Sequence, residues 1–268
     1  MSDETQGLFA VSLASEDEAR VASATRDIFG IDVRVSDKAE TIDFIRRRIM
    51  ARQHTKFSFV NAHTANLGWS NASFRNTLKR FEVLADGVGV DIGSKLLHGA
   101  PFPDNLNGTD FIPALLDGIE TPLKVALFGA KPGVADEACR KLAANFPQHE
   151  FVVLGHGYLS AEQSRGVLAT LDPVKPDILL VAMGNPMQEQ WIADHCSADN
   201  CVTAFGVGAL FDFIAGRVTR APEWVRRFRL EWIYRLCLEP GRLWRRYILG
   251  NPRFLLRVLM QKFGVRPK

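Results

Sequence analysis

Residues Ile178–Trp191 read Ile-Leu-Leu-Val-Ala-Met-Gly-Asn-Pro-Met-Gln-Glu-Gln-Trp, and this stretch indicates the class of fold. Its first half, Ile178–Met183, is a short continuous apolar run, which is typical of a strand that is buried on both faces. Gly184 and Pro186 then provide turn chemistry, and the residues from Met187 onward begin a helix with the proline at its start. A buried strand, a tight turn and a helix N-terminus in succession form the building unit of a parallel α/β sheet.

Polar side chains gather at the turn between this strand and this helix. Ligands of open α/β sheets bind beyond the carboxyl ends of the strands, where free backbone N–H groups of a helix N-terminus favour anions. Asn185, Gln188 and Glu189 lie where such a ligand would bind. The alternative is an ordinary turn followed by a solvated first turn of helix, because a short motif of this kind also occurs without function.

The rest of the chain repeats the alternation of strands and helices. We predict further strands at residues 29–33, 56–60, 81–85, 125–128, 151–154 and 201–208. We predict helices that begin near Ser36 or Asp37 and at residues 65–79, 111–118, 134–145 and 161–171, the last capped by Ser160. From Val125 onward the order is β-α-β-α-β-α-β, which requires parallel pairing with right-handed crossovers. The sequence therefore predicts an α/β fold with Rossmann-like parallel sheets flanked by helices.

Alternating apolar positions follow the predicted strand 81–85. Val88, Val90 and Ile92 alternate with smaller or polar residues, so we expect them to continue that strand after a turn at Asp86 and Gly87.

Length and composition describe a soluble globular protein of 268 residues, of which 47% are hydrophobic and 24% charged. The N-terminal segment is acidic and polar, and no run reaches the roughly 18 apolar residues that a membrane span requires. We therefore expect neither a signal peptide nor a transmembrane helix. The four cysteines show no CxxC spacing, which favours reduced thiols over a zinc site. We expect a cytoplasmic location.

Charge is unevenly divided along the chain. Segment 217–268 contains fourteen Lys and Arg against three Asp and Glu, a net charge of +11, whereas the whole chain carries +3 and the remainder therefore −8. We accordingly predict a mobile N-terminus (1–22), a Rossmann-like core (23–215) and a basic, helical, amphipathic C-terminal appendage (216–268). A basic segment on an acidic body indicates an anionic partner, such as a membrane surface, nucleic acid or a phosphorylated substrate.

The appendage admits three interpretations. Its arginines are interleaved with Trp and Leu at helical spacing, which is typical of a helix lying on anionic lipid. The same spacing suits a helix that packs on the core and exposes a basic face to solvent. Nucleic acid is the third partner, but no recognised nucleic-acid-binding module accompanies the charge, so we do not expect it.

Several classes of enzyme lack their motif in this sequence. No GxGxxG follows a strand, which disfavours NAD, and GxxxxGK[ST], GxSxG and HExxH are all missing. No Asp-x-Asp occurs, so a carboxylate pair that would hold a metal against a nucleotide diphosphate is not evident. We expect neither a metal nor another cofactor.

Polar residues recur at the predicted carboxyl ends of strands, where a shared ligand site would lie. They include Asn61, His63, Asp86, Gly129, Lys131, Tyr158, Asn185, Gln188 and Asp212. Asp86 is the best candidate for a general base because it is a lone carboxylate at a strand end beside a glycine. Its alternative is an ordinary Asp-Gly turn. His63 is kept as a binding residue, since most histidines pack or hydrogen-bond rather than catalyse.

Taken in order, these segments resemble the WecG/TagA/CpsF glycosyltransferase family over residues 29–247. The core motifs that carry the resemblance are Phe59-Val60-Asn61, Ala85-Asp86-Gly87-Val88-Gly89-Val90, Asn107-Gly108-Thr109-Asp110, Phe128-Gly129-Ala130-Lys131-Pro132, His156-Gly157-Tyr158, Ala182–Glu189 and Phe205-Gly206-Val207-Gly208. The most specific motifs lie in the appendage: Gly216–Pro222, Leu230–Leu236, Glu239-Pro240-Gly241-Arg242 and Arg245-Arg246-Tyr247.

The resemblance implies a metal-independent, inverting transfer of a sugar from a UDP-sugar to a polyprenyl-diphosphate-linked glycan at the inner face of the cytoplasmic membrane. It implies that Asp86 deprotonates the acceptor hydroxyl. The UDP-sugar would be bound by Asn61, His63, Asn107, Gly129, Lys131, Tyr158, Asn185, Gln188 and Asp212. The appendage arginines Arg235, Arg242 and Arg245 would hold the diphosphate and meet the anionic membrane, because bidentate guanidinium groups can stabilise a leaving diphosphate without a metal.

Two positions depart from the family pattern. Phe59 stands where the family often has Thr, and Asn105 stands where it often has Arg. Both lie near the expected sugar and phosphate pocket, so the donor is left open among N-acetylmannosamine, glucuronic acid and glucose. Asn61-Ala62-His63 favours exopolysaccharide or other cell-surface polysaccharide assembly over teichoic acid synthesis. The oligomeric state is also open, with a homo-oligomer among the alternatives.

A rival function belongs to a different class. The chain could be a non-enzymatic nucleotide-binding protein associated with membrane or RNA, with the appendage as its main functional element. This hypothesis predicts binding of nucleotide or polyanion without sugar transfer, and no selective effect of changing Asp86.

Overall fold

The computed structural model describes residues 24–158 and 161–267. The predicted mobile N-terminus (1–22) and the predicted cap Ser160 lie outside the described residues. Within those residues the strands are β1 (Thr25–Ile28), β2 (Ile31–Arg34), β3 (Thr55–Val60), β4 (Glu82–Ala85), β5 (Lys124–Gly129), β6 (Glu150–Gly155), β7 (Ile178–Ala182) and β8 (Thr203–Gly206).

Helices alternate with these strands and then continue alone to the C-terminus. The helices of the core are α1 (Lys38–Met50), α2 (Ala62–Ser70), α3 (Ala72–Leu78), α4 (Val88–His98), α5 (Gly108–Asp117), α6 (Val134–Asn145), α7 (Ala161–Val174), α8 (Met187–His195) and α9 (Leu210–Ile214). The appendage contains α10 (Glu223–Arg227), α11 (Glu231–Leu238), α12 (Pro240–Trp244), a π-helical turn (Arg245–Leu249) and α13 (Gly250–Lys262). None of the helices described has the length and apolarity that crossing a membrane requires.

One sheet of eight strands joins the described elements in the order β1-β2-β4-β3-β8-β7-β5-β6. Only the β1–β2 pair is antiparallel among these strands, and every other pair is parallel. The α/β fold with a mainly parallel sheet flanked by helices is therefore confirmed. The parallel pairing brings the carboxyl ends of β3, β4, β5, β7 and β8 to one edge, which is where ligands bind in such sheets.

The sheet is buried on both faces, as the apolar run in β7 predicts. Successive residues of β7 belong to opposite apolar layers: Leu180 packs with Phe205 and its stacked neighbour Phe57, whereas Leu179 lies in the layer that contains Phe128. All five residues of β7 are at most 4% exposed. This two-sided burial follows from the period of two in a strand and holds the carboxyl edge rigidly.

The prediction that Val88, Val90 and Ile92 continue a strand is wrong, because these residues lie in α4. Gly87 turns the chain at a φ of 92°, which an L side chain rarely adopts, and the helix follows at once. Val90 and Ser94 are both fully buried, so the burial repeats at the helical spacing of four. Over only five residues, alternation does not distinguish a strand from a helix.

Two other element boundaries differ from the sequence-based expectation. The predicted first strand, 29–33, is a hairpin of β1 and β2 that turns at Phe29 and Gly30, whose φ values of 62° and 76° suit a tight hairpin turn. The helix expected from residue 65 begins at Ala62, because the Asn61 side chain caps it. The cap region of α1 is confirmed at Asp37, which forms a capping box with Glu40.

The appendage packs on the core through α13. Phe254 and Val258 are at most 1% exposed, and a Cβ placed on Gly93 of α4 would lie 2.9 Å from the Phe254 ring. Arg229, before α11, donates to the buried carboxylate of Asp91 in α4 at 2.5 Å. These contacts hold the appendage across the carboxyl edge of the sheet.

Candidate active site

A cleft of about 2070 Å³ lies between the carboxyl edge of the sheet and the appendage. This volume exceeds the roughly 300–1,000 Å³ of a typical small-molecule pocket, so the cleft has room for two substrates. Most of the predicted site residues line it, namely Asn61, His63, Asp86, Asn107, Lys131, Tyr158, Asn185, Gln188, Asp212, Arg235 and Arg242. Gly129 and Arg245 are absent from its lining. We call the side formed by Asn61, Asp86, Asn185 and Gln188 the sheet wall.

Asp86 lies at the end of β4 with its carboxylate oriented by Asn61. The Asn61 side-chain oxygen accepts hydrogen bonds from the backbone N–H groups of His63 and Thr64 at 3.1 and 3.2 Å, which fixes the amide at the start of α2. Asn61 Nδ2 therefore points away from the helix and donates to Asp86 Oδ2 at 3.0 Å. Among the described residues Oδ1 of Asp86 has no hydrogen-bond partner, so this oxygen is available to a ligand in the cleft.

The two positions that depart from the family pattern both line the cleft. The Asn105 side-chain oxygen accepts the backbone N–H of Gly87 at 2.8 Å and so braces the turn that carries the carboxylate. Phe59 is 7% exposed and packs beside Phe111, and a Cβ on Gly108 would lie 3.2 Å from its ring. The cleft of this chain thus has a neutral brace at the turn that carries Asp86 and an apolar ring in its lining.

Gln188 connects the turns that follow β7 and β8. Its side-chain oxygen accepts the backbone N–H groups of Gly184 and Gly208 at 3.1 and 2.9 Å, and its Nε2 donates to Glu189 at 2.8 Å. A Cβ on Gly206 would lie 2.8 Å from that Nε2, so only glycine leaves room for the amide. Gln188 is 2% exposed and its polar atoms are already bonded, which makes it a brace of the sheet wall.

Glu189 is a buried carboxyl group beneath the sheet wall. The expectation that it lies where a ligand would bind is wrong, because it is 0% exposed and does not line the cleft. Its Oε1 accepts three hydrogen bonds, from Ser58 Oγ at 3.0 Å, Asn185 Nδ2 at 2.6 Å and Gln188 Nε2 at 2.8 Å. Its Oε2 is buried and has no partner among the described residues. Burial raises the pKa of Glu189, and the three hydrogen bonds oppose that shift. Glu189 therefore joins β3 to the β7 and β8 turns.

The turns after β5 and β6 form the far end of the cleft. Gly129 adopts a φ of 117°, and a Cβ on it would lie 2.4 Å from the Ala182 carbonyl oxygen, so glycine is needed for the close approach of β5 and β7. Lys131 is exposed on the following turn, and Tyr158 is 68% exposed on the turn after β6. Strands β6 and β7 lie on opposite sides of β5, so the strand order reverses direction here. A nucleotide can bind at such a reversal, at the carboxyl ends of the strands.

The opposite side of the cleft carries arginines of the appendage, and we call Arg235, Arg242 and Arg246 the appendage wall. Arg242 is paired with Glu239 at 2.6 Å, and the Arg235 guanidinium lies 5.0 Å from the centre of the Phe213 ring. The Nε atoms of Arg235 and Arg246 are buried without a partner among the described residues. Burial lowers the pKa of Arg246, but a guanidinium keeps its charge. Guanidinium groups with a buried N–H donor that has no acceptor are suited to an anionic ligand.

Arg246 lines the cleft where sequence reasoning proposed its neighbour Arg245. The Arg245 guanidinium lies 5.4 Å from the centre of the Trp244 ring, and the side chain is exposed. Both arginines fall in the π-helical turn, which shifts the helical phase by one residue relative to an α-helix. Sequence periodicity contains no signal for such a turn.

His63 stands in the cleft as a neutral imidazole. The pKa of His63 is lowered to about 4, mainly by burial and to a smaller extent by the nearby Arg246 cation. At neutral pH the ring therefore offers one hydrogen-bond donor and one acceptor.

A second group of charges crosses from the core to the appendage. Asn107 caps α5 and donates to Asp110 Oδ2 at 3.0 Å, while Arg220 donates to Asp110 Oδ1 at 2.7 Å. The carboxylate of Glu231 lies 4.0 Å from the Arg220 guanidinium. Burial is the main cause that raises the pKa of Glu231, and the negative charges of Asp110 and Asp86 add to it. Asn107 is thus bonded to its own helix, and Arg220 ties α5 to α11. Across residues 24–158 and 161–267, no group of three or more His, Cys, Asp or Glu side chains is placed to hold a metal ion.

Comparison with known proteins agrees with this architecture. Residues 26–268 match the family model described as the glycosyl transferase WecG/TagA/CpsF family. A Bacillus spizizenii protein named N-acetylglucosaminyldiphosphoundecaprenol N-acetyl-beta-D-mannosaminyltransferase is 36% identical over 178 residues, which cover 66% of this chain and 67% of that protein.

Longer alignments are found with relatives of the same name. The Bacillus subtilis protein is 30% identical over 243 residues, covering 89% of this chain and 92% of that protein. The Staphylococcus aureus protein is 28% identical over 254 residues, covering 93% and 98% respectively. The match spans both the sheet and the appendage, so the resemblance drawn from the motifs is confirmed: the chain belongs to the WecG/TagA/CpsF family of glycosyltransferases.

Proposed function

We propose that this protein transfers a sugar from a UDP-sugar to a polyprenyl-diphosphate-linked glycan, with Asp86 as the general base. One observation carries the proposal: Asp86, with one carboxylate oxygen fixed by Asn61 and the other unpartnered, faces a cleft whose opposite wall holds arginines with buried Nε atoms that lack a partner among the described residues. This arrangement pairs a proton acceptor with a binding site for a leaving diphosphate.

The chemistry follows from these two groups. Asp86 accepts the proton of the acceptor hydroxyl, the freed oxygen attacks the anomeric carbon of the donor sugar, and UDP leaves from the opposite face. The configuration at the anomeric carbon is therefore inverted. Asn61 keeps the carboxylate in place, because its own oxygen is held by the N-terminus of α2.

Arg235, Arg242 and Arg246 supply the positive charge that stabilises the departing diphosphate. Their guanidinium groups can bind phosphate oxygens in the bidentate geometry that suits such an anion. Lys131 and Tyr158 lie at the crossover point of the sheet and would bind the nucleotide there. We propose that this cationic wall replaces a metal ion and that the protein acts peripherally at the inner face of the cytoplasmic membrane.

The relatives suggest the first substrates to test. Their names specify an N-acetylmannosaminyl transfer to N-acetylglucosaminyldiphosphoundecaprenol. Phe59 and Asn105, which depart from the family pattern, line the cleft of this chain, so UDP-glucuronic acid and UDP-glucose are tested together with UDP-N-acetylmannosamine. The product would belong to an exopolysaccharide or another cell-surface polysaccharide.

The test measures UDP release from these donors with the lipid-linked acceptor and EDTA present. We expect acceptor-dependent release from one donor. Replacing Asp86 by Asn should lower the rate about 10³-fold, because a general base contributes roughly 10² to 10⁴, while UDP affinity stays within about twofold of the wild-type value.

Two results would count against the proposal. Equal activity of Asp86→Asn would remove the proposed base. UDP binding without transfer from any donor would favour the non-enzymatic nucleotide-binding protein.

A further inference from the structure

One side of the cleft is apolar rather than charged. Ile92 of α4, Leu255 of α13 and Ile248 of the π-helical turn line the cleft and remain 43%, 39% and 52% exposed. Large apolar side chains that stay exposed together beside a polar cleft indicate a surface that is covered when a partner or ligand binds.

The apolar side chains extend away from the cleft along two packed helices. α4 and α13 are in contact, since a Cβ on Gly93 would lie 2.9 Å from Phe254 and 3.3 Å from Val258. Both helices begin at the cleft, which Val88 and Pro252 line.

Leu96 and Leu259 lie four residues beyond Ile92 and Leu255 respectively, hence on the same helix faces, and are 37% and 44% exposed. Four residues of helix advance about 6 Å. We call Ile92, Leu96, Ile248, Leu255 and Leu259 the apolar track.

The charges next to the track restrict what can occupy it. The same cleft contains the buried, unpaired Nε atoms of Arg235 and Arg246, so an apolar surface leads directly to a binding site for phosphate groups. A nucleotide sugar or a free glycan has no apolar chain to cover the track. A molecule that combines a diphosphate with a hydrocarbon chain matches both features.

We propose that the apolar track binds the first isoprene units of the acceptor lipid, which enters the cleft from the side of α4 and α13. This inference rests on the proposed function, because that function supplies a polyprenyl diphosphate as substrate. Its consequence is that the acceptor is recognised by its lipid as well as by its sugar.

The experiment compares two soluble diphosphates that differ only in chain length, farnesyl diphosphate and dimethylallyl diphosphate, by isothermal titration calorimetry. We expect the wild-type protein to bind the longer chain at least about tenfold more tightly, since each buried methylene favours binding. In the double variant Ile92→Ser/Leu255→Ser the advantage should fall to about threefold or less. The affinities for dimethylallyl diphosphate and UDP should change by less than about twofold, which also shows that the variant is folded.

Leu256→Ser is the matched control, because Leu256 is 59% exposed on the same helix but does not line the cleft. It should retain the chain-length advantage. The proposal would be contradicted if the wild-type protein bound farnesyl and dimethylallyl diphosphate equally well. It would also be contradicted if the double variant kept the wild-type affinity ratio, or if Leu256→Ser lost as much of that ratio as the double variant.

Two further measurements separate other occupants of this surface. If the double variant lost only binding to phosphatidylglycerol vesicles, the surface would contact the membrane rather than a single chain. If it lost only self-association in sedimentation, the occupant would be a second copy of the protein. If the protein transferred sugar but bound both diphosphates equally well, only the proposed lipid-binding role of the apolar track would be rejected. If it preferred the longer diphosphate but transferred no sugar, only the proposed function would be rejected.

Discussion

The sheet wall and the appendage wall of the cleft differ in how their polar groups are satisfied. On the sheet wall Asn185 and Gln188 are hydrogen-bonded to Glu189, and Gln188 is also bonded to two backbone N–H groups. On the appendage wall the Nε atoms of Arg235 and Arg246 are buried without partners. The amides of the first wall are hydrogen-bonded without a ligand and leave Asp86 Oδ1 open to one, whereas the second wall contains charges that an anion would neutralise.

This difference assigns different tasks to the two walls. A hydrogen-bonded network of this kind is rigid and can hold the turns around a carboxylate such as Asp86 in one arrangement. Buried N–H donors without an acceptor lower stability on their own but can strengthen the binding of a diphosphate. Changes to the bracing residues of the sheet wall should therefore appear mainly in stability, whereas changes to Asp86 and to the appendage wall should appear mainly in catalysis.

The largest effect on stability is expected from Glu189→Ala. This change leaves donors on Ser58, Asn185 and Gln188 without their shared acceptor, and we expect the free energy of unfolding to fall by about 3 kcal/mol. Urea unfolding measures it. Glu120→Ala, at an exposed position, is the control and should change stability by less than about 0.5 kcal/mol. A loss below about 1 kcal/mol in Glu189→Ala would mean that the sheet wall does not depend on this carboxyl group.

Arg246→Ala tests the appendage wall and should separate catalysis from stability. We expect the rate of sugar transfer to fall about 100-fold, because a cation at the leaving diphosphate is lost. The free energy of unfolding should fall by no more than about 0.5 kcal/mol, since the half-buried side chain forms no ion pair among the described residues. Steady-state UDP release and urea unfolding measure the two quantities.

Arg245→Ala is the matched control, one residue away and outside the cleft. It should retain the transfer rate within about threefold, because its guanidinium lies over Trp244. If Arg245→Ala lost as much activity as Arg246→Ala, the appendage would have to rearrange when substrate binds.

The same contrast explains how far the sequence predicts the molecule. The parallel sheet follows from Ile178–Ala182, because a strand buried on both faces needs an unbroken apolar run. Most strand ends, and with them Asp86 and Asn61, follow from similar runs. The prediction of a strand at Val88–Ile92 is wrong, because five residues fit both the period of two of a strand and the period of 3.6 of a helix. The positive φ of Gly87, which turns the chain into the helix, cannot be read from that pattern.

The parts of the site that sequence reasoning missed or misplaced depend on tertiary structure. Glu189 appears at a helix start as one of several polar residues, and only the packing of β3 against α8 reveals that it is buried. Arg246 lines the cleft because of a π-helical turn, which has no periodic signature. Residues that face a ligand from a helical appendage therefore need the structure, whereas residues at strand ends can be predicted from pattern.

The smallest expected effect concerns the pKa of His63, which depends on the burial of the ring in the cleft and on the charge of Arg246 in the appendage wall. Burial lowers this pKa to about 4, and Arg246 adds to the shift, so Arg246→Ala should raise the pKa of His63 while leaving it below the usual 6.5. An NMR titration of the imidazole measures it. In the wild type, between pH 6.5 and about 4, His63 is protonated in the unfolded chain but stays neutral in the folded protein. The free energy of unfolding should therefore fall as the pH drops through this window. His63→Gln should lack that component, and an unchanged pH dependence in this variant would show that the imidazole is solvated rather than buried against the appendage wall.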